Sequence, residues 1–393
     1  MKITAVRLTP VNIPLEIPYL WTGGLYPGTS KVIIEVETDA GITGLGEAPS
    51  DELLPTLRGL ADRIIGRDPI DIADLEARCV PPWQIVQNTD GNAVVRAFGA
   101  LEIALWDIRG KAWGQPLYQL LGGAVRHEIA FAEYFAFRPT KDDRVTAMDP
   151  GYVVDHCLRM REEHGSTIFE GKLIHPDADV AIETVRRLRE ALGPKAVIRL
   201  DSNMQWSMPT AIRLAREIEP YDVRNWEDPV GTLEEMAQLR RHTSIPFSTH
   251  SSDIRRVVAL GAPDTLVLNF SVLGGIARTV RFIGACEAMG VGFWCYSGDA
   301  GIATAAYLHM SAAMPHISEP SQSLFRWQVA DVIVDGPFRQ TNNVVRVPDG
   351  PGLGVTLDRD ALARWHQHYV DNGPLDHYLD PWGDGRYWRL PQG

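Results

Sequence analysis

Cysteine is scarce and scattered in this sequence. The four present, Cys79, Cys157, Cys286 and Cys295, form no Cys-x-x-Cys pair. Neither a disulfide framework nor a zinc cluster is indicated, and a reducing cytoplasm is the expected compartment. Positive charge is also in deficit, with 38 Lys and Arg against 50 Asp and Glu and a formal charge of -12 at pH 7. A nucleic-acid footprint needs Lys and Arg clustered on one face, so no nucleic-acid partner is expected, and an anionic substrate needs a local cation or a metal. No run reaches the roughly 18 to 20 uninterrupted apolar residues of a membrane helix. The start, Met1-Lys2-Ile3-Thr4-Ala5-Val6, leads straight into alternating strand rather than a charged leader. No membrane partner is expected. Low-complexity runs and internal repeats are missing as well.

What remains is the composition of an ordinary globular protein, 45% hydrophobic and 22% charged. At 393 residues the chain exceeds what one hydrophobic core usually supports, so two domains or a large barrel with an addition are expected. Ile3 to Val11, Lys31 to Thr38 and Ile42 to Gly46 are strand-like, with Asp39-Ala40-Gly41 as a hairpin turn. Helical spacing follows from Leu54 to about Ala77 and from Ala93 to Leu121. Residues 1–125 thus read as a small α+β domain.

From Ile129 the beat changes to short apolar runs alternating with amphipathic stretches. Strands are expected at Ile129–Tyr134, Thr167–Leu173, Ala196–Asp201, Val223–Glu227, Pro246–His250, Thr265–Asn269, Gly292–Tyr296 and His316–Glu319. Eight strands alternating with helices favour a closed parallel barrel over residues 126–325. The segment 326–393 loses this beat, and Val344 to Val347 with the glycines that follow suggest a return to the first domain.

Barrels of this kind carry their chemistry where strands end. Asp201 and Glu227 each close an apolar run, one strand-helix unit apart. Adjacent strands lie about 4.8 Å apart, so the two acids are expected to face one cavity. Close carboxylates repel unless a cation lies between them, and a hard divalent ion such as Mg²⁺ suits oxygen ligands. His250 closes the next strand and is a candidate third ligand, with Asp253 one turn away as the alternative. Lys172 ends the second strand and is a candidate base. The plainer readings are a helix N-cap for Asp201, a surface lysine for Lys172, packing for Tyr296 and Asp299, and a tail cap for Glu319.

These residues resemble the enolase superfamily, in its mandelate racemase and glucarate dehydratase branch. KVIIEVETDAGITGLGE from Lys31 to Glu47 and ALEIALWDIRGKAWGQPLYQLLGG from Ala100 to Gly123 carry the resemblance in the first domain. It implies a modified TIM barrel, (β/α)7β, with an α+β capping domain completed by the C-terminal tail. Loops at Tyr19 to Ser30 and Ser50 to Leu54 are then expected to close over the barrel mouth and contact substrate, Tyr19 and Trp21 among them. The resemblance also implies one Mg²⁺ per subunit, with Asp201 and Glu227 matching the first two ligands and His250 standing at the third position, open to Asp253 as the alternative, and with Lys172 as the second lysine of a Lys-x-Lys strand. Asn203, Glu319 and Glu170 become substrate-binding candidates, and a dimer or octamer is the expected assembly.

Three positions depart from the family pattern. Glu170 replaces the first lysine of Lys-x-Lys, His250 the third acidic ligand, and Tyr296 with Asn269 the His-Asp dyad. Racemisation needs a base on each face of the enediolate, so loss of the dyad favours dehydration, with Lys172 as base and either Tyr296 or a metal-bound water as acid, or syn elimination by Lys172 alone. The expected function is acid-sugar dehydration to a 2-keto-3-deoxy acid. The alternatives are an epimerase, racemase or cycloisomerase of another carboxylic acid, and an acid-sugar-binding barrel without catalysis.

Overall fold

The computed structural model describes residues 1–81, 92–297, 299–383 and 385–389. An antiparallel sheet opens the chain, with β1 (Ile3–Trp21), β2 (Gly24–Thr38) and β3 (Thr43–Ala48) in that order. Val32, Ile33, Ile34 and Val36 of β2 are all buried, a continuous apolar run that suits a central strand covered on both faces. The helix Asn92–Trp113 packs on β3, where a Cβ at Gly46 would stand 2.6 Å from the Ala100 carbonyl oxygen. Residues 19–30, expected as a loop, are instead the tip of a long hairpin, because β1–β2 pairing resumes after a register shift between Pro14 and Tyr19 and runs to Trp21 opposite Gly24.

Eight parallel strands follow. They are β5 (Glu133–Ala136), β6 (Ile168–Lys172), β7 (Val197–Asp201), β8 (Asn225–Glu227), β9 (Phe247–Thr249), β10 (Thr265–Leu268), β11 (Gly292–Ser297) and β12 (Gln322–Ser323), adjacent in chain order. The short β4 (Glu128–Ala130) before them pairs antiparallel with β13 (Val344–Arg346) and stands outside the barrel. Closure comes from a parallel bridge of Phe131 with Ser321, where Ala132 N donates to Ser321 O at 2.9 Å and Ser321 N to Ala130 O at 2.9 Å. Helices such as Ala178–Leu192 bury Ala181, Val185, Leu188 and Leu192 on one stripe against the strands. Among the described residues, no helix is long and apolar enough to cross a membrane.

The last strand is not where the sequence pattern put it. His316–Glu319 is a turn, with Ile317 N bonded back to Met314 O at 3.2 Å, and the chain joins the barrel only after Pro320. A proline cannot donate to a ladder, so the apolar Ile317 packs in the turn and Gln322–Ser323 does the pairing. After β13 the helix Arg359–Asn372 lies on β1, with His366 Nδ1 2.7 Å from the Pro10 carbonyl oxygen and Asn12 Nδ2 donating to Gly373 O at 2.9 Å. Residues 374–378 then form a strap over the barrel mouth. Leu375 N donates to Ser30 Oγ at 2.9 Å and Trp21 Nε1 to His377 O at 3.2 Å. Gly24 admits this approach: its φ is +143°, and a Cβ there would stand 2.7 Å from His377 O.

Candidate active site

Strand alternation stacks two layers of polar side chains inside the barrel. In the upper layer Lys172, Asp201 and Glu227 are register partners across β6, β7 and β8. Two residues earlier on the same strands, Glu170, Arg199 and Asn225 form the layer beneath. The upper layer lies at the C-terminal ends of the strands, under a cavity of about 670 Å³ lined by Lys172, Glu227, His250 and Tyr296, among others. The hairpin tip, residues 49–52 and the strap roof it.

Lys172 Nζ is ion-paired to Asp201 Oδ2, and Asp201 Oδ1 accepts from Asn203 N at 2.8 Å and Asn203 Nδ2 at 3.0 Å. Asn203 lines the cavity as expected of a substrate contact, but its amide nitrogen is turned onto Asp201. Glu227 Oε2 accepts from Gln322 Nε2 at 2.7 Å, and its Oε1 lies 3.0 Å from His250 Nε2. Burial, and then the neighbouring Asp201 charge, raise the Glu227 carboxyl well above the usual carboxylate range.

His250 Nδ1 lies 2.7 Å from the Val267 carbonyl oxygen, so that nitrogen carries a proton and Nε2 is the one presented to Glu227. Burial works against an imidazolium here, but Glu227 more than offsets it and the ring's pKa is raised. Glu227, Asp228 and His250 each offer a ligand atom within 4.8 Å of the others. Asp228 was legible only as the second acid of Glu-Asp-Pro. Its carboxylate also accepts from Thr249 Oγ1 at 2.5 Å. Excess buried negative charge and an oriented imidazole nitrogen 3.0 Å from Glu227 Oε1 fit a hard divalent cation.

Across the cavity, Tyr296 stands edge-on to His250 with ring centroids 5.1 Å apart, and burial raises its phenol pKa. It is a neutral hydroxyl at neutral pH. Asn269 accepts from Val272 N at 3.1 Å and Ser271 Oγ at 3.0 Å, capping the turn Phe270–Leu273. Tyr19 and Trp21 line the roof, Tyr19 stacked on Tyr26 at 5.1 Å.

Two expected substrate contacts lie elsewhere. Glu319 is paired with Arg224 at 2.6 Å, at the start of β8 and therefore at the opposite end of the barrel. Pro320 turns the chain before it can reach the cavity. Glu170 lies in the lower layer, fully buried and ion-paired to Arg199, with Gln322 Nε2 on its other oxygen at 2.5 Å. Side-chain period puts Glu170 directly below Lys172 rather than beside it. Gln322 itself was missed, because the strand carrying it is two residues long. Lys31, Asp299 and His377 also line the cavity. Lys31 had a signal, a lysine opening a buried apolar strand, but it read as scaffold.

Residues 3–122 match the mandelate racemase / muconate lactonizing enzyme N-terminal domain and residues 152–361 the enolase C-terminal domain-like family. A probable glucarate dehydratase of Streptomyces coelicolor is 31% identical, over 95% of this chain and 93% of its own. An enolase from Mycobacterium smegmatis complexed with tartrate superposes with a TM-score of 0.87 at 28% identity, covering 96% of this chain and 94% of that one. Another from Pseudomonas fluorescens, with bound magnesium, potassium and tartrate, has a TM-score of 0.86 at 28% identity, covering 95% and 93%. Other curated relatives are named D-galactonate dehydratase, D-galactarolactone cycloisomerase and N-succinyl-L-Arg/Lys racemase, at 30%, 25% and 25% identity. The chain belongs to the mandelate racemase / muconate lactonizing enzyme family of the enolase superfamily.

Proposed function

We propose that the protein is an Mg²⁺-dependent acid-sugar dehydratase. The observation that carries this reading is the asymmetry of the cavity. One wall holds Lys172 on Asp201, and the other holds Tyr296 and Asn269 where a second base would have to stand. Asp201, Glu227 and His250 are the residues that would hold the ion, with Asp228 beside them. Bound Mg²⁺, one per subunit, would supply positive charge against the enediolate that forms when the proton beside the carboxylate leaves.

Lys172 Nζ takes that proton, and Asp201 orients the amine for it. Tyr296 gives its phenolic proton to the departing hydroxyl; the C–O bond breaks with its electron pair on oxygen, and water leaves. The remaining enol tautomerises to a 2-keto-3-deoxy acid. Tyr19 and Trp21 bound the substrate from above and Asn203 from the strand end beside Asp201. Incubating mono- and diacid sugars with the protein and Mg²⁺ tests the reading, which fails if no 2-keto product forms from any of them. Lys172→Ala should abolish turnover and leave Mg²⁺ binding in place. Epimerisation or cycloisomerisation would appear instead as exchange of the α-proton with solvent deuterium without loss of water.

A further inference from the structure

The roof of the cavity holds an ion pair that the dehydration scheme does not use. Lys31, on β2 and 3% exposed, places Nζ 2.5 Å from Oδ1 of Asp299, and both line the cavity. An ammonium has three donors. One goes to Asp299, and among the described residues Lys31 Nζ has no other partner, so two N–H groups remain for a ligand. Burial works against the ammonium, but Asp299 and then Glu47 hold its pKa up, so it stays charged and the pair is close to neutral overall.

The strap adds a second open group. His377 lines the same roof and stacks on Tyr26 at 4.1 Å, and its Nδ1 is buried without a hydrogen-bond partner among the described residues. Burial, and then the nearby Lys31 charge, lower its pKa to about 4, so it is a neutral ring at neutral pH. Asp51, Glu52 and Asp376 line the roof too, with Arg96 as the further cation. A second carboxylate placed here would meet Asp299 and these acids. A hydroxyl group, which both donates and accepts, suits a Lys-Asp pair and a neutral imidazole.

We infer that the site selects acid sugars with a single carboxylate, whose uncharged hydroxylated far end is held by Lys31, Asp299 and His377. The inference rests on the acid-sugar dehydratase reading and narrows it. It is tested by kcat/KM on pairs of equal configuration, gluconate against glucarate and galactonate against galactarate, with Mg²⁺ present. The aldonate of at least one pair should be preferred by about tenfold or more, the discrimination a polar subsite commonly supplies. Preference for the aldarates overturns this inference alone, whereas no turnover of any acid overturns the dehydratase reading with it.

Two variants separate recognition from a purely structural clasp. Asp299→Asn keeps an acceptor for Lys31 but unmasks its charge, and should move the aldonate-to-aldarate ratio toward the diacid by about tenfold. His377→Phe keeps a ring on Tyr26 and loses both nitrogens. It should raise KM for the preferred aldonate by about tenfold with kcat within about twofold, and His377→Asn should recover part of the loss. An unchanged ratio in the first variant refutes the charge-masking role of Asp299, and an unchanged KM in the second refutes the His377 contact.

Discussion

Removing Glu170 should destabilise the barrel far more than any role in binding would suggest. Arg199 is fully buried in the layer beneath the site, and its Nη2 donates to Glu170 Oε2. Among the described residues its Nε and Nη1 have no hydrogen-bond partner, and the remaining neighbour of note is the Trp294 ring, 4.5 Å from the guanidinium carbon. Glu170→Met therefore leaves a buried cation with a cation-π contact alone. Breaking a buried pair on one side costs about 3–5 kcal/mol, while replacing both partners with apolar residues is often close to neutral. The double variant Glu170→Met/Arg199→Met should then recover most of the loss. Urea midpoints of the four proteins in a double-mutant cycle measure the coupling. A single substitution costing less than about 1 kcal/mol, the range of an exposed pair, would refute the reasoning.

Three further outcomes are expected. His250→Ala should weaken Mg²⁺ binding by at least about tenfold, read by calorimetry, because it removes the oriented Nε2 beside Glu227; unchanged affinity would assign the ion to the acids alone. His309 is buried, with Nδ1 3.4 Å from Tyr118 N and Nε2 3.1 Å from Leu353 O, and burial lowers its pKa to about 4. The unfolded chain takes up a proton near pH 6.5 that the fold refuses, so stability falls from pH 6.5 toward 4, by about 2 kcal/mol at pH 5. Buried acids such as Glu102, raised to about 7, act in the opposite sense. The test is therefore the shallower pH slope of His309→Gln against wild type in denaturant titrations, and equal slopes would refute it. Gly24→Ala strains a φ of +143° and presses on His377 O. It should cost about 1 kcal/mol or more and admit protease cleavage near the strap, which an undisturbed digestion pattern would contradict.

How much of this was legible in the sequence depended on range. Periodicity located six of the eight barrel strands, because each is a run of buried residues bounded by polar ones, and Asp201, Glu227 and Lys172 followed as the groups that close those runs; the expected first strand, Ile129–Tyr134, straddles β4 outside the barrel and only the first two residues of β5. The eighth failed, since Gln322–Ser323 pairs through backbone with no apolar run to announce it, while Ile317 offered apolar character in a turn. Glu170 failed differently. Its type and strand were right, but only the register with Arg199 revealed that it faces a layer down.

The chain order alone determined the scaffold and the first ring of chemistry, because hydrophobic period and strand-end position are local properties. Tertiary structure decided the rest of the site. Lys31 from the first sheet, Asp299 from a strand end and His377 from the far tail lie 268 and 346 residues from Lys31 in sequence. They meet because Arg359–Asn372 docks on β1 and carries the strap across the mouth. No local pattern encodes such a meeting. It follows from burial of surfaces that exist only once the barrel and its cap have formed.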